Sequence, residues 1–150
     1  MLKVAWSTKY AHPLPHGHRF PMEKYELLPE QLIYEGTLTK ENLFSPLALD
    51  ESLITATHEL EYFQKLKSLG LNKSEIREIH IMNGSVMAAF NAISDGIGMN
   101  IAGGTHHAFK DRGEGFCLLN DIAIAANALL SQQIAAKILV VDLDVHQGNG

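Results

Sequence analysis

Apolar and polar positions along the chain fall into short blocks whose spacing alternates between the strand and helix periods. Leu2–Ser7 is brief and apolar, and predicts a first strand. Pro21 suits a first helical turn, with Met22–Leu28 continuing the helix. Pro29 interrupts that pattern, and Glu30–Glu35 reads as a further turn or two ending at Gly36. Leu38–Leu49, which contains Pro46, reads as a connection. Asp50 is placed to cap a helix carrying Leu53 and Ile54. His58 falls near a break before a helix over Glu59–Leu69, with Gly70 as its stop. Ser74 is placed to cap Glu75–Ile79. Asn83–Ser94 is small and apolar on most sides, which predicts a separate buried helix closed by Asp95-Gly96. Ile97–Ile101 predicts a second inner strand, and Gly103–Phe116 a long glycine-rich loop. Asn120 or Asp121 caps an alanine-rich helix over Ile122–Leu130, and Lys137–Val141 enters a last strand. Strands separated by helices predict an α/β domain: a parallel sheet with helices on both faces. No repeat, low-complexity tract or linker divides residues 1–150, so a single domain is expected.

The last stretch, Lys137–Gly150, carries the most chemistry. As a strand, it would place Val141, Leu143 and Val145 on one side and Asp142, Asp144 and His146 on the other. Two carboxylates and an imidazole on one face are costly to bury without a cation. Aspartate oxygen and histidine nitrogen suit zinc or another first-row divalent ion. The alternative is that the acids cap neighbouring loops while His146 is a satisfied polar group. Gly103–Phe116 holds a second cluster, with His106 and His107 in tandem after two glycines. Loop histidines are commonly solvated or structural. A metal-activated water, however, needs a base and an acid, and histidine suits both roles. In parallel sheets ligands collect beyond the carboxyl ends of the strands, where both stretches are expected to lie.

Composition narrows the setting. Apolar residues make up 46% of the chain and charged residues 19%, an ordinary globular balance. A net charge of −5 with no Lys/Arg run argues against nucleic acid or an anionic membrane as a principal partner. The single cysteine, Cys117, excludes an internal disulfide framework and a zinc finger. With no apolar leader or spanning segment in view, a cytoplasmic protein is expected. His12, His16 and His18 sit in a Pro/Gly-rich loop over Ala11–Arg19, and solvated histidines are the expectation there.

GGTHHAF, GEGFCLLNDIAIA and VVDLDVHQGNG, in this order and spacing, resemble the histone deacetylase superfamily, which includes acetylpolyamine and acetoin-utilisation deacetylases. The Gln147/Asn149 form of the last motif is most similar to the class IV branch and its bacterial relatives. The likeness is strong over about 97–150 and collinear, though weaker, from the N-terminus. It implies an arginase/deacetylase-like fold and a zinc-dependent hydrolase acting on acyl-lysine proteins or acylated polyamines. Asp144 and His146 would be two of three zinc ligands. His106 and His107 would flank the zinc-bound water, with His107 as general base and Asp142 orienting His106. The carbonyls of Asp142, Asp144 and His146 would contribute to a structural potassium site. Gly115 and Phe116 would line the acyl-lysine tunnel, and Arg19 an internal product channel. Asn149 stands where many relatives place an acid behind the second histidine, so an imidazolium at His107 is expected to be less stabilised.

The third zinc ligand and the carbonyl-polarising tyrosine have no counterpart among these residues. The resemblance therefore implies the N-terminal part of a larger catalytic domain, without its later strands and inactive by itself. A two-metal ureohydrolase of the arginase type is the alternative enzyme. Its strand end has the order D-x-H-x-D, against D-x-D-x-H here. An inactive homologue or fragment acting by protein binding is the non-enzymatic alternative. Acyl preference and oligomeric state are not encoded in these motifs.

Overall fold

The computed structural model describes residues 1–150 except 12, 15, 18, 19, 48 and 69–72, and describes 73–82 by backbone alone. Three parallel strands, β1 (Lys3–Ala5), β2 (Leu43–Phe44) and β3 (Gly98–Asn100), lie in the order β2-β1-β3. Val4 pairs with Leu43 on one side and Met99 on the other. Val4 and Ala5 are both fully buried. Successive strand residues face opposite ways, so both faces of the central strand are covered. The predicted connection at Leu38–Leu49 thus contains an edge strand too short to leave a period-two signal.

Among the described residues there are five α-helices, α1 (Lys24–Tyr34), α2 (Glu51–Thr55), α3 (Leu60–Ser68), α4 (Lys73–Asp95) and α5 (Asp121–Ser131), of which α4 packs on the sheet. Asp50 caps α2 as expected, its carboxylate accepting from Ser52 N–H at 2.9 Å. Two expected breaks are absent. Glu75–Ile79 and Asn83–Ser94 belong to one 23-residue helix, α4, so Ser74 lies inside it rather than capping it. The Gly70 stop lies outside the described residues. Helix α1 runs through Pro29. A proline there deprives the Tyr25 carbonyl of its helical partner. That carbonyl instead accepts the Trp6 indole N–H at 2.6 Å, which ties α1 to the end of β1. No helix among the described residues is long and apolar enough to cross a membrane.

One core, between α2, α3, α4 and α5, contains Ile54, Phe63, Val86, Leu119 and Ile124. A second, beside β1 and α1, contains Tyr10, Met22, Tyr25 and Ala102. The strand expected over Lys137–Val141 and on to His146 does not form a ladder with the sheet. Val141, Leu143 and Val145 are exposed. For the second half of this stretch, Asp142–His146, the acids supply a physical reason. Asp142 Oδ1 accepts from Asp144 N–H at 2.9 Å, and Asp144 Oδ1 accepts from His146 N–H at 2.7 Å. Each carboxylate bonds an amide two residues on, a local turn that competes with sheet pairing.

Candidate functional site

The glycine-rich loop leaves the carboxyl end of β3, and two buried side chains hold it in shape. Asp121, 1% exposed, accepts from Thr105 N–H and Thr105 Oγ1–H at 2.7 Å each and from Gly104 N–H at 3.1 Å. Ser85 Oγ–H of α4 donates to the same carboxylate. Asn100 Nδ2 donates to Ser85 Oγ at 2.8 Å, and Tyr10 Oη–H to Asn100 Oδ1 at 3.1 Å. This chain, buried at Tyr10 and Asp121 and half-buried at Ser85 and Asn100, joins β3, α4 and α5 behind the histidine loop. Burial and then the Asp121 charge push the Tyr10 phenol far above its ordinary range.

His58 holds the other half of the loop. The Phe109 carbonyl accepts at 2.9 Å from its Nδ1, and its Nε2 accepts from Asn120 N–H at 3.0 Å. A carbonyl only accepts and an amide N–H only donates, so His58 is the neutral Nδ1–H tautomer. Burial lowers its pKa, partly offset by the backbone carbonyls of Phe109 and Lys110. Neither anchor was identified from the sequence. The available signal for Asp121 was surplus: Asn120 caps α5 through Ala123 N–H at 3.0 Å, which leaves the adjacent acid free for the loop. For His58 the sequence shows only a histidine near a helix break.

On this frame, His106 and His107 stand with ring centroids 4.3 Å apart. His106 Nδ1 lies 2.6 Å from Asp142 Oδ2, and His107 Nδ1 lies 2.6 Å from Asn149 Oδ1. Both partner oxygens are acceptors, so each neutral ring carries its proton on Nδ1 and its lone pair on Nε2. Gly150 N–H donates to the His106 carbonyl at 3.0 Å, fastening the terminal stretch to the loop. The Asp144 N–H bond, then His106, lowers the Asp142 pKa. Asp144 is lowered by His146, first through its backbone N–H and then its side chain.

His146 lies 6.2 Å from His107, centroid to centroid, and its Nδ1 is 2.9 Å from Asp144 Oδ1. One oxygen and one nitrogen donor thus stand beside the histidine pair, with chemistry suited to a first-row divalent ion. Among the described residues, no group of three or more His, Cys, Asp or Glu side chains is arranged to hold a metal. Asp144 and His146 by themselves are two donors, fewer than a metal site needs. Gly115, at φ +60°, sits against His107, where an added Cβ would lie 3.2 Å from ring Cδ2. Phe116 beside it is 86% exposed. Arg19, His12 and His18 lie outside the described residues, and His16 is exposed.

Residues 18–150 match the family model described as the histone deacetylase domain. An uncharacterized protein of Picosynechococcus is 37% identical over 98% of this chain and 53% of its own length. Histone deacetylase 2 of Arabidopsis thaliana is 27% identical over 89% of this chain and 39% of its own. The acetoin utilization protein AcuC of Staphylococcus aureus is 26% identical over 89% of this chain and 40% of its own. The chain thus spans about half the length, or less, of these relatives. In three dimensions it resembles an HDAC homolog from Aquifex aeolicus. The TM-score is 0.72 at 20% identity, covering 87% of this chain and 41% of the other. An HDAC homolog complexed with SAHA aligns with a TM-score of 0.70 at 21% identity and the same coverage. The fold is accordingly the arginase/deacetylase-like one.

Proposed function

The chain belongs to the histone deacetylase family, and from that membership we propose that the full-length protein is a metal-dependent hydrolase removing acetyl or longer acyl groups from acyl-lysine or acyl-polyamine amides. The observation that carries the proposal is the pairing of both loop histidines, each through Nδ1 at 2.6 Å, with Asp142 and Asn149. Those partners lie 36 and 42 residues further along the chain, beside Asp144 and His146. Two imidazoles held in one tautomer next to an oxygen and a nitrogen donor are the parts an amide hydrolase needs.

Asp144 and His146 would hold a zinc or similar ion together with a further donor from the longer protein. A divalent ion supplies Lewis-acid polarisation of the amide carbonyl and acidifies water at the scissile bond. His107 Nε2 takes the proton of the attacking water, while Asn149 keeps Nδ1 occupied and the ring in place. His106, backed by the Asp142 carboxylate, supports positive charge, and the histidine pair returns a proton to the departing amine. Gly115 and Phe116 form the wall along which the acyl-lysine side chain enters, and Arg19 would line the product's route out. The carbonyls of Asp142, Asp144 and His146 are the proposed donors to a structural potassium ion. A cytoplasmic setting is part of the same reading.

The test is acetate release from an acetyl-lysine peptide by the full-length protein, with and without chelator, repeated with longer acyl chains. His107→Ala should lower kcat far more than it changes KM, because the base acts only in the transition state. Near-normal turnover by that variant, or turnover indifferent to chelator, would overturn the assignment.

A further inference from the structure

Glu114 has no role in the scheme above, yet its position is tightly set. Its N–H donates to the Cys117 carbonyl at 3.0 Å, and its own carbonyl accepts from Cys117 N–H at 3.0 Å. The two residues between them make a tight turn, with Gly115 at φ +60° resting against the His107 ring. From this turn the Glu114 carboxylate accepts from Asn149 Nδ2 at 2.7 Å. Asn149 Oδ1, at the other end of the same amide, is the atom 2.6 Å from His107 Nδ1.

We propose that Glu114 is a positioning residue that fixes the tautomer of His107 through Asn149, an inference that rests on the deacetylase reading of the site. An asparagine amide has a donating and an accepting end of nearly the same shape, so Asn149 alone could meet His107 with either. A carboxylate only accepts. Glu114 therefore selects the NH2 end and turns the carbonyl toward His107. The carbonyl also only accepts, so His107 Nδ1 must carry the hydrogen, and the lone pair is left on Nε2. A reversed amide would donate to Nδ1 and hold the ring proton on Nε2, removing the lone pair from the atom that serves as base. The relay also places a negative charge one side chain behind the imidazole, where Asn149 itself brings none.

The arrangement explains the asparagine. An aspartate at 149 would set its carboxylate against that of Glu114 across a distance now spanned by a hydrogen bond, and like charges so close repel. Asn149→Asp should therefore be harmful while Glu114 is present and harmless when it is gone. A residue that merely shaped the turn would produce no such reversal of sign.

The experiment uses the full-length protein, acetyl-lysine peptide turnover at fixed pH, and ring nitrogen NMR of labelled histidine to read the His107 tautomer. Glu114→Ala should lower kcat by about 10-fold or more, as loss of partners behind a site's histidines commonly does. KM should change little, and the His107 signals should move from the Nδ1–H form toward a mixture. Asn149→Asp alone should also lower kcat. The double variant Glu114→Ala/Asn149→Asp should recover most of the loss, which also shows that the turn still folds without Glu114. The proposal is overturned if Glu114→Ala leaves kcat and tautomer unchanged, or if Asn149→Asp acts equally in both backgrounds. Wild-type protein without deacetylase activity would instead refute the functional reading. The tautomer comparison would still decide whether Glu114 sets the ring.

Discussion

Removing the carboxylate of Asp121 should cost more stability than any other single change around the histidine loop. The side chain is 1% exposed and accepts from Gly104 N–H, Thr105 N–H, Thr105 Oγ1–H and Ser85 Oγ–H. In Asp121→Ala the threonine hydroxyl can rotate away and the amide of exposed Gly104 can turn to water, but the buried Thr105 amide and the half-buried Ser85 hydroxyl lose their acceptor. Each stranded donor costs about 1–3 kcal/mol, so the two together cost roughly 2–6 kcal/mol. That is a large part of the ~5–15 kcal/mol available to a typical domain. Asp121→Asn is the gentler probe. Its Oδ1 still serves Thr105, but an NH2 group replaces the oxygen that Ser85 uses. Ser85 Oγ already accepts from Asn100 Nδ2 at 2.8 Å, so the conflict passes along the hydrogen-bonded chain. About 2 kcal/mol is expected, the worth of one hydrogen bond to a charged group. Urea unfolding of the full-length protein measures both variants, and amide hydrogen exchange at Gly104 and Thr105 locates the effect. An alanine variant within about 1 kcal/mol of wild type would refute the account, since one stranded donor alone should exceed that.

The other predictions concern the frame and the site. Burial lowers the His58 pKa, so the unfolded chain takes up a proton that the folded chain refuses. The stabilisation is complete above the unfolded value of about 6.5 and declines as pH falls toward the folded value, by at most ~1.4 kcal/mol per pH unit. Thermal melts of wild type and His58→Gln across that range should diverge above pH 6.5 and converge below it; parallel curves would exclude His58 as the cause. Trp6→Phe should cost about 1 kcal/mol by stranding the Tyr25 carbonyl. The cost should shrink in a Pro29→Ala background, where the helix supplies its own N–H, as chemical denaturation of the four proteins would show. Gly98→Ala would place Cβ 2.0 Å from the Ala88 carbonyl oxygen. It should force β3 off α4 and lower the melting temperature by several degrees, for a cost of at least ~1–3 kcal/mol. Gly115→Val should lower turnover and also cost about 1–3 kcal/mol of stability, because its branched side chain would enter the space of the His107 ring at a φ that favours glycine.

Much of the frame was legible because local chemistry decides it. Asp50 and Asn120 cap helices wherever the chain goes, since a side-chain oxygen beside free amides needs no distant partner. Val4 and Ala5, in a short apolar run, had to be buried, and they are. The pairing of His106 with Asp142 and of His107 with Asn149 was expected only from the family resemblance of these motifs, since the residues by themselves left solvated loop histidines the commoner reading.

The misreadings share a different cause. Pro29 was expected to break α1, but the Trp6 indole, 19 residues before Tyr25 in sequence, satisfies the Tyr25 carbonyl that proline orphans. The period-two pattern of Val141–His146 describes where side chains would point in a strand, and a strand exists only when a neighbour completes its hydrogen bonds. Asp142 and Asp144 take up the amides of Asp144 and His146 instead. Sequence by itself determined which residue types could do the chemistry and in what order they come. Tertiary structure decided which hydrogen-bond partner each one has. The orientation of Asn149 depends on a carboxylate 35 residues away, and only folding brings Glu114 there.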